Sequence, residues 1–389
     1  MVVGRRPLPS LRFTRIHLEN WRNFSQADAQ LQRRVFVVGP NASGKSNFLD
    51  AFRFLHDIVS IGGGLEEAVR RRQGMSKLRA LSARKYPDVV VRVELGDGNG
   101  EAWTYELALG QDNRQRPRIK REIVLNREKK LVDRPNEQDA DDPERLTQTY
   151  LQQVNVNKDF RPVADAFSAV RYLHIVPQLI REPDRSVGRS NDPYGGDFLE
   201  QVAGTSKRVL ESRLKAISGA LRVAVPQLSE LTLVRDSKGA PHLQGRYEHW
   251  RPQGAFQNED QFSDGTLRLL GLLWAIAENG GPLLLEEPEL SLHPEVVKVL
   301  PQMFARMQRR SGRQILTSTH STDLLKDDGI GIDEVLVLRP GTEGTEVSTA
   351  SDFAEVKDLL EGGSTLAEAV LPLTRPQKAE QLVLFGDNA

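Results

Sequence analysis

Val35-Phe36-Val37-Val38-Gly39-Pro40-Asn41-Ala42-Ser43-Gly44-Lys45-Ser46-Asn47 is the stretch that decides how the rest of the chain is read. The β-branched run before Gly39 is a buried strand meeting a loop. Residues 46–60 then place Phe48, Leu49, Phe52, Leu55 and Val59 on one side of a helix. Between strand and helix the chain fits G-x-x-x-x-G-K-[ST]. Gly39 and Gly44 let the backbone curl, so that the N–H groups of Asn41, Ala42 and Ser43 face one phosphate chain. Lys45 carries charge to the β- and γ-phosphates, the Ser46 hydroxyl ligates Mg²⁺, and the helix opening at Ser46 and Asn47 presents its positive end to the anion. A magnesium-bound nucleotide is therefore the expected ligand. The loop by itself does not say which class of nucleotide hydrolase this is.

Working outward, Leu283-Leu284-Leu285-Glu286-Glu287-Pro288 is an apolar run ending in two acids. Buried parallel strands look like this, and ligands sit at their C-terminal ends. Glu286 is expected in the Mg²⁺ shell and Glu287 as the general base on the attacking water. Adjacent residues on a strand face opposite ways, so the two acids cannot share one task. Phe262-Ser263-Asp264-Gly265-Thr266 precedes a helical stretch, residues 267–278. Two readings are open for it. Ser263 is a good helix N-cap, or Ser263 and the Gly265 N–H grip a γ-phosphate at the positive end of that helix.

The chain has 389 residues, 39% of them hydrophobic, enough to bury a core without staples, and it has no cysteine. That removes disulfides, thiolate metal sites and cysteine nucleophiles. Lys plus Arg equals Asp plus Glu at 53 each, so no global basic field drives nucleic-acid binding. Residues 1–10 lack the apolar core of a signal peptide, and the most apolar stretch, 267–277, is short and contains Arg268. A soluble, cytoplasmic protein with no membrane partner is expected.

Strands are expected at 11–18, 88–95, 101–109 and 119–125, the last three as an antiparallel meander, and at 169–176, 283–285 and 314–317, with a closing hairpin at 335–338 and 346–348. Residues 133–144 read as an exposed acidic loop. Residues 180–196 read as a boundary, 198–223 and 295–310 as single helices, and the chain beyond 351 as helical or loosely ordered.

The order of these segments resembles the ABC-type ATPase heads of the RecF/SMC group, and most of all the OLD-like AAA ATPases of DNA-repair and phage-defence operons. The residues that carry the resemblance are Asn20-Trp21-Arg22-Asn23-Phe24, the phosphate loop, the Ser263 turn, Leu283 to Glu289, Ser291-Leu292-His293-Pro294, and Thr317-Ser318-Thr319-His320-Ser321. The resemblance implies an α/β P-loop head, a mixed sheet with an antiparallel β subdomain and a helical lobe inserted between Q-loop and signature motif. Expected divisions are 1–180 and 256–350 for the two halves of the nucleotide-binding lobe, 181–255 for the inserted lobe and 351–389 for a tail.

By the same resemblance the Gly39–Ser46 loop is Walker A, Glu286 and Glu287 are Walker B and its catalytic acid, and residues 262–266 are the signature. Residues 289–293 are the D-loop, and His320 is the switch histidine. Gln178 is the Q-loop candidate that reaches metal and nucleotide; a plain loop residue is the other reading. Arg22 reaches phosphate or a partner, or is an exposed turn residue. Two features depart from the group's usual pattern. Glu286 stands where many relatives carry Asp, and the signature reads Ser-Asp-Gly-Thr. The stretch between Lys45 and Ser263 has no heptads for a coiled-coil arm, and no fused Toprim nuclease domain is expected after His320.

Three functions compete at this stage. An ATPase switch would sandwich two nucleotides between two copies, in a dimer or higher homo-oligomer, and control a separate effector such as a Toprim- or HNH-type nuclease in phage defence. A scaffold would stay ATP-bound with little turnover. A RecF-like clamp would bind DNA in repair, through Arg70, Arg71, Arg72, Lys77, Arg79, Arg84 and Lys85, a run that otherwise reads as a solvated face. His242 and His249 lack a third ligand at sensible spacing, so no metal is expected there.

Overall fold

The computed structural model describes residues 11–83, 87–98, 102–182, 192–248, 250, 255–278 and 280–375. The strands run, in chain order, β1 (Arg12–Trp21), β2 (Phe24–Gln30), β3 (Arg34–Val38), β4 (Val89–Gly96), β5 (Ala102–Gln111), β6 (Pro117–Asn126), β7 (Lys129–Arg134), β8 (Arg171–Leu173), β9 (Leu228–Arg235), β10 (Pro241–Tyr247), β11 (Ala255–Asn258), β12 (Leu283–Glu286), β13 (Ile315–Thr319), β14 (Val335–Pro340) and β15 (Thr345–Thr349). They form three sheets. The first is antiparallel in the order β2-β1-β4-β5-β6-β7, and the second has the order β15-β14-β3-β13-β12-β8. In the second sheet β14, β3, β13, β12 and β8 are parallel and β15 closes an antiparallel hairpin. The third is a small antiparallel sheet, β11-β10-β9.

Alternation along the short central strands divides the core in two. Val35 and Val37 face the helix Lys45–Val59, together with Leu284, Leu316 and Leu336. Phe36 and Val38 face the other way, with Leu283, Leu285, Ile315 and Val337, onto the helix Leu300–Ser311 and the C-terminal helices. The antiparallel sheet covers the far side of Lys45–Val59 through Phe13, Leu18, Val91 and Tyr105. Successive apolar strand residues are thus all buried, as expected of strands with helices on both faces. A third cluster joins the helix Asp264–Ala277 to the helices Phe198–Ala203 and Lys207–Ala224 and to β9 and β10.

The α/β reading, the meander and the closing hairpin all appear. Several expectations change. The inserted segment holds the helices expected of it and also a three-stranded sheet, β9 to β11. Its helix is broken at Gly204, whose backbone closes the first piece before Ser206 starts the second. The helix expected at 295–310 is likewise two, Pro294–Val297 and Leu300–Ser311, because Pro301 starts a helix better than it continues one. The strand at 169–176 is paired only at Arg171–Leu173. β2 and β7 were not foreseen; β2 alternates buried and exposed positions among Ser, Gln, Ala and Asp. Beyond residue 351 the chain forms the helices Ala354–Glu361 and Leu366–Val370, which bury Val356, Ala367 and Val370.

The largest change is at 133–144. Most of its positions are exposed, as expected, but it is structured and anchored from within rather than a loop. The Arg134 guanidinium is fully buried and forks onto Glu122 at 2.9 Å and Asp139 at 2.7 Å, with both carboxylates fully buried as well. Asn136 and Asp139 form a capping box that starts the helix Glu137–Asp141. Glu122 also accepts from the Tyr150 N–H at 2.9 Å. Burial pushes the Glu122 carboxyl up, against the pull of its donors. A second buried arginine, Arg313, donates to the carbonyls of Ala275 (2.7 Å), Glu278 (3.1 Å) and Gly281 (2.6 Å). It ties the end of the helix Asp264–Ala277 to the entry of β12, and burial lowers its pKa to about 10.

Replacing Arg134 by Met strands two buried carboxylates. Such a loss costs about 3–5 kcal/mol, so the urea-unfolding midpoint of Arg134→Met should fall sharply. An unchanged midpoint would contradict the network.

Candidate nucleotide-binding site

Register brings the site together. Val38 pairs with Thr319 and Val37 with Ser318, while Glu286 pairs with Ser318. β3, β13 and β12 therefore end at one edge of the sheet. The phosphate loop, His320 and the two acids are all delivered there.

The loop is held in a left-handed conformation at two positions. Ala42 has φ +62° and Gly44 φ +94°. At Gly44 a Cβ would lie 2.1 Å from the Asn23 amide nitrogen, so both the angle and the space require glycine. A Cβ on Gly39 would meet Ser43 Oγ at 2.5 Å and the Leu338 carbonyl at 2.7 Å. Asn23 is the brace. Its amide donates to the Ser43 carbonyl (3.0 Å) and Thr345 Oγ1 (2.7 Å), and its oxygen accepts from Asn47 Nδ2 (2.7 Å). The Trp21 indole N–H donates to the Asn47 carbonyl at 2.8 Å. The Asn20–Phe24 turn is thus a strap across the loop.

Lys45 is buried, and its Nζ donates to the carbonyls of Gly39 (3.1 Å) and Pro40 (3.2 Å). Burial lowers its pKa, while Glu287, Glu286 and Glu289 oppose that shift. Ser43 Oγ is buried without a hydrogen-bond partner. The Ser46 hydroxyl donates directly to Glu286 Oε1. A hydroxyl beside a carboxylate is a hard-oxygen donor set suited to Mg²⁺. With the glycine cradle and the unpartnered Ser43, the residues fit a magnesium nucleotide.

Glu286 is also bonded from its far side by the Tyr172 hydroxyl, and His174 Nδ1 lies 3.9 Å from Oε2. Burial first, and Glu286 second, push the Tyr172 phenol well above its ordinary pKa. Glu287 lies past the strand end, with φ +44°. This left-handed turn, and not strand alternation alone, separates the two acids. Glu287 Oε1 is 3.2 Å from His320 Nε2. That hydrogen bond is the main reason its pKa is lowered, with charge from His320, Lys45 and His174 adding to it. Glu289 accepts from Thr319 Oγ1 (2.5 Å) and from the His320 N–H (3.2 Å), and so fixes the backbone that carries the histidine. Burial raises the Glu289 pKa.

The Ser263 turn is a formed helix cap. Ser263 Oγ accepts from the Thr266 N–H at 3.2 Å, yet Ser263 and Asp264 are exposed. A Cβ on Gly265 would lie 2.5 Å from the Ser291 carbonyl, so the turn packs on the 289–293 loop of its own chain. Among the described residues no hydrogen bond or ion pair joins residues 262–266 to residues 39–46. Arg181 braces the turn, donating to the Phe262 carbonyl and to Asp264, each at 2.6 Å. Arg268, in the next turn, lines a small cleft with Leu173, Leu272, Glu286 and Glu287. Burial lowers its pKa, opposed by Asp264 and Glu287.

Not every candidate gathers here. Gln178 is exposed and its oxygen accepts from Arg181 at 3.1 Å; Tyr172 and His174 stand at Glu286 from that strand instead. Arg22, φ +52°, bonds Asp50 on the phosphate-loop helix at 2.8 Å. The basic run is largely consumed within the chain. Arg72 is buried between Asp50 (2.7 Å) and Asp57 (2.8 Å), Arg71 pairs with Asp57 and Glu67, and Arg70 pairs with Glu67. Lys77 is exposed and Arg79 half-buried, while Arg84 and Lys85 lie outside the described residues. His242 bonds Glu259 at 2.8 Å, and His249 lies outside the described residues. No described helix is long and apolar enough to cross a membrane. Asn23, Tyr172 and Glu289 were not singled out from the sequence. The only signal for Asn23 was its place in the Asn20–Phe24 turn.

Residues 34–326 match the family described as AAA domain, putative AbiEii toxin, Type IV TA system, and the chain belongs to that family. No curated protein matches by sequence. Among solved structures, an Smc head bound to the C-winged helix domain of ScpA is 13% identical with TM-score 0.52, over 87% of this chain and 97% of that one. An Smc head with an extended coiled coil, bound to a C-terminal domain of ScpA derived from Pyrococcus furiosus, is 12% identical with TM-score 0.51, over 91% and 100%. The fold is similar to that of these Smc head domains.

Asn23→Ala leaves the Ser43 carbonyl and the Asn47 amide without their partner. An unmade hydrogen bond at these part-buried groups costs about 1–3 kcal/mol; carried into the loop that binds the phosphates, that corresponds to roughly a five- to 150-fold weakening of nucleotide binding. Titration with a fluorescent ATP analogue should show that loss while circular dichroism shows a retained fold. Wild-type affinity would contradict the strap.

Proposed function

We propose that this member of the AAA-domain family is an ATPase that closes two copies of itself over ATP and Mg²⁺ and uses hydrolysis to open them. The observation that carries the proposal is the meeting of Ser46 with Glu286, and of Glu287 with His320, at one strand edge beside Lys45. Ser46, Glu286 and, by resemblance, Gln178 would hold the metal, whose charge would offset that building on the β- and γ-phosphates. Lys45 would leave the Gly39 and Pro40 carbonyls for the same phosphates.

Glu287 takes a proton from the attacking water as the oxygen–phosphorus bond to ADP breaks, giving ADP and phosphate. His320 keeps that carboxylate ionised and aimed. The Ser263 turn is exposed at the positive end of a 14-residue helix and makes no polar contact with its own phosphate loop. A second copy supplies the matching half: its Ser263 and Gly265 cap the γ-phosphate, and Arg22 serves nucleotide or partner. Loss of the γ-phosphate then removes the contacts that hold the copies together.

The opened or closed state acts on a separate effector. We favour a nuclease of Toprim or HNH type, in phage defence, over a DNA-repair clamp. The family's description names a toxin–antitoxin system, and Arg70, Arg71 and Arg72 are bound by acids of their own chain. An ATP-bound scaffold remains the reading if turnover is negligible.

Glu287→Gln should bind ATP, trap the oligomer in gel filtration and lose about 10²–10⁴ in turnover. Normal turnover would overturn the role. The pH profile gives a second check. The Glu287 pKa is depressed by the His320 hydrogen bond, so its ionised form persists as pH falls. In His320→Ala the pKa returns upward, and the acid limb of kcat/KM should move to higher pH. An unmoved acid limb would contradict the pairing.

A further inference from the structure

Both oxygens of Glu286 are taken. Oε1 accepts from Ser46, and Oε2 accepts from the Tyr172 hydroxyl. Tyr172 is itself fixed: the Arg53 guanidinium, about two turns along the phosphate-loop helix, lies 5.3 Å from its ring centroid and 5.9 Å from that of Tyr194. The Tyr194 ring meets His174 edge-on at 6.0 Å. β8 pairs Tyr172 with Leu284 and Leu173 with Leu285, so the strand brings the ring alongside the end of β12. The arrangement is a rigid arm from the sheet edge onto the far oxygen of the metal carboxylate.

A carboxylate has about four lone-pair positions. Two are used here, one by each hydroxyl. We infer that Tyr172 is a positioning residue that holds Glu286 in the hydration shell of the ion: Ser46 Oγ would reach Mg²⁺ itself, while Glu286 would accept from metal-bound water. Tyr172 takes up the extra reach that Glu has over Asp. Without the hydroxyl, Oε2 is free to swing onto the ion directly. This inference rests on the magnesium-nucleotide reading above.

Tyr172→Phe keeps the ring, its packing and the Arg53 contact, and removes only the donor. A fluorescent ATP analogue is titrated with wild type and variant, in EDTA and across a Mg²⁺ series. The variant should bind the analogue as wild type does in EDTA, and should reach half-saturation at several-fold lower Mg²⁺. In a Glu286→Asp background, where the carboxylate no longer reaches the phenol, adding Tyr172→Phe should shift the Mg²⁺ midpoint no further. Superimposable Mg²⁺ curves for wild type and Tyr172→Phe, or an equal shift in both backgrounds, would overturn the inference while leaving the magnesium-nucleotide reading intact. A wild-type protein whose analogue binding ignores Mg²⁺ would instead remove that reading, and the inference with it.

Discussion

Three parallel strands ending at one level are the constraint on which the rest depends. β3, β13 and β12 are locked by ladder pairs from Ile315–Arg34 to Glu286–Ser318. A one-residue slip in any of them would turn its apolar set to the wrong helix layer. It would also carry Lys45, His320 or Glu287 off the common edge. The two-sided core therefore fixes the chemistry as well as the fold: Val35 and Val37 cannot face the helix Lys45–Val59 unless Gly39 also begins the loop at the right height.

At that edge the backbone is held where most residues avoid going. Ala42, Glu287 and Ser291 have positive φ without being glycine. Each such residue costs on the order of 1–3 kcal/mol and persists only when its surroundings over-determine it. The surroundings are visible. Asn23 grips the loop from outside, Glu287 N–H bonds the Ser318 carbonyl at 3.1 Å, and Ser291 packs on Gly265. The Ser263 turn, the 289–293 loop and Glu287 are consequently one mechanical unit within a chain, with Arg181 and Arg313 bracing its two ends.

The core of the site was legible in the sequence because its logic is local. A glycine-flanked loop between a β-branched strand and an amphipathic helix, and three leucines before two acids, have few other uses. What escaped depends on charge meeting charge across long stretches of chain. Arg134 and Asp139 fell in a stretch that reads as exposed, since nothing local says that they and Glu122 will neutralise one another inside. The same blindness made Arg70 to Arg72 look like a free basic patch, when Asp50, Asp57 and Glu67 were waiting on neighbouring helix faces. Tyr172 and Asn23 were missed for a related reason. Their partners, Glu286 and the phosphate loop, are brought to them only by sheet pairing. The inserted segment hid a sheet behind its helices because β9 to β11 are polar and only partly buried.

The account turns on two copies sharing each triphosphate, and subunit complementation tests it most directly. Lys45→Ala disables the loop half of the site and Ser263→Arg the signature half. Each variant alone should be inactive. Mixed together, they form some dimers in which an intact loop faces an intact signature turn, and ATP hydrolysis should return. If Ser263→Arg alone hydrolyses ATP normally, or if the mixture stays as dead as its components while both still associate, the shared site is wrong.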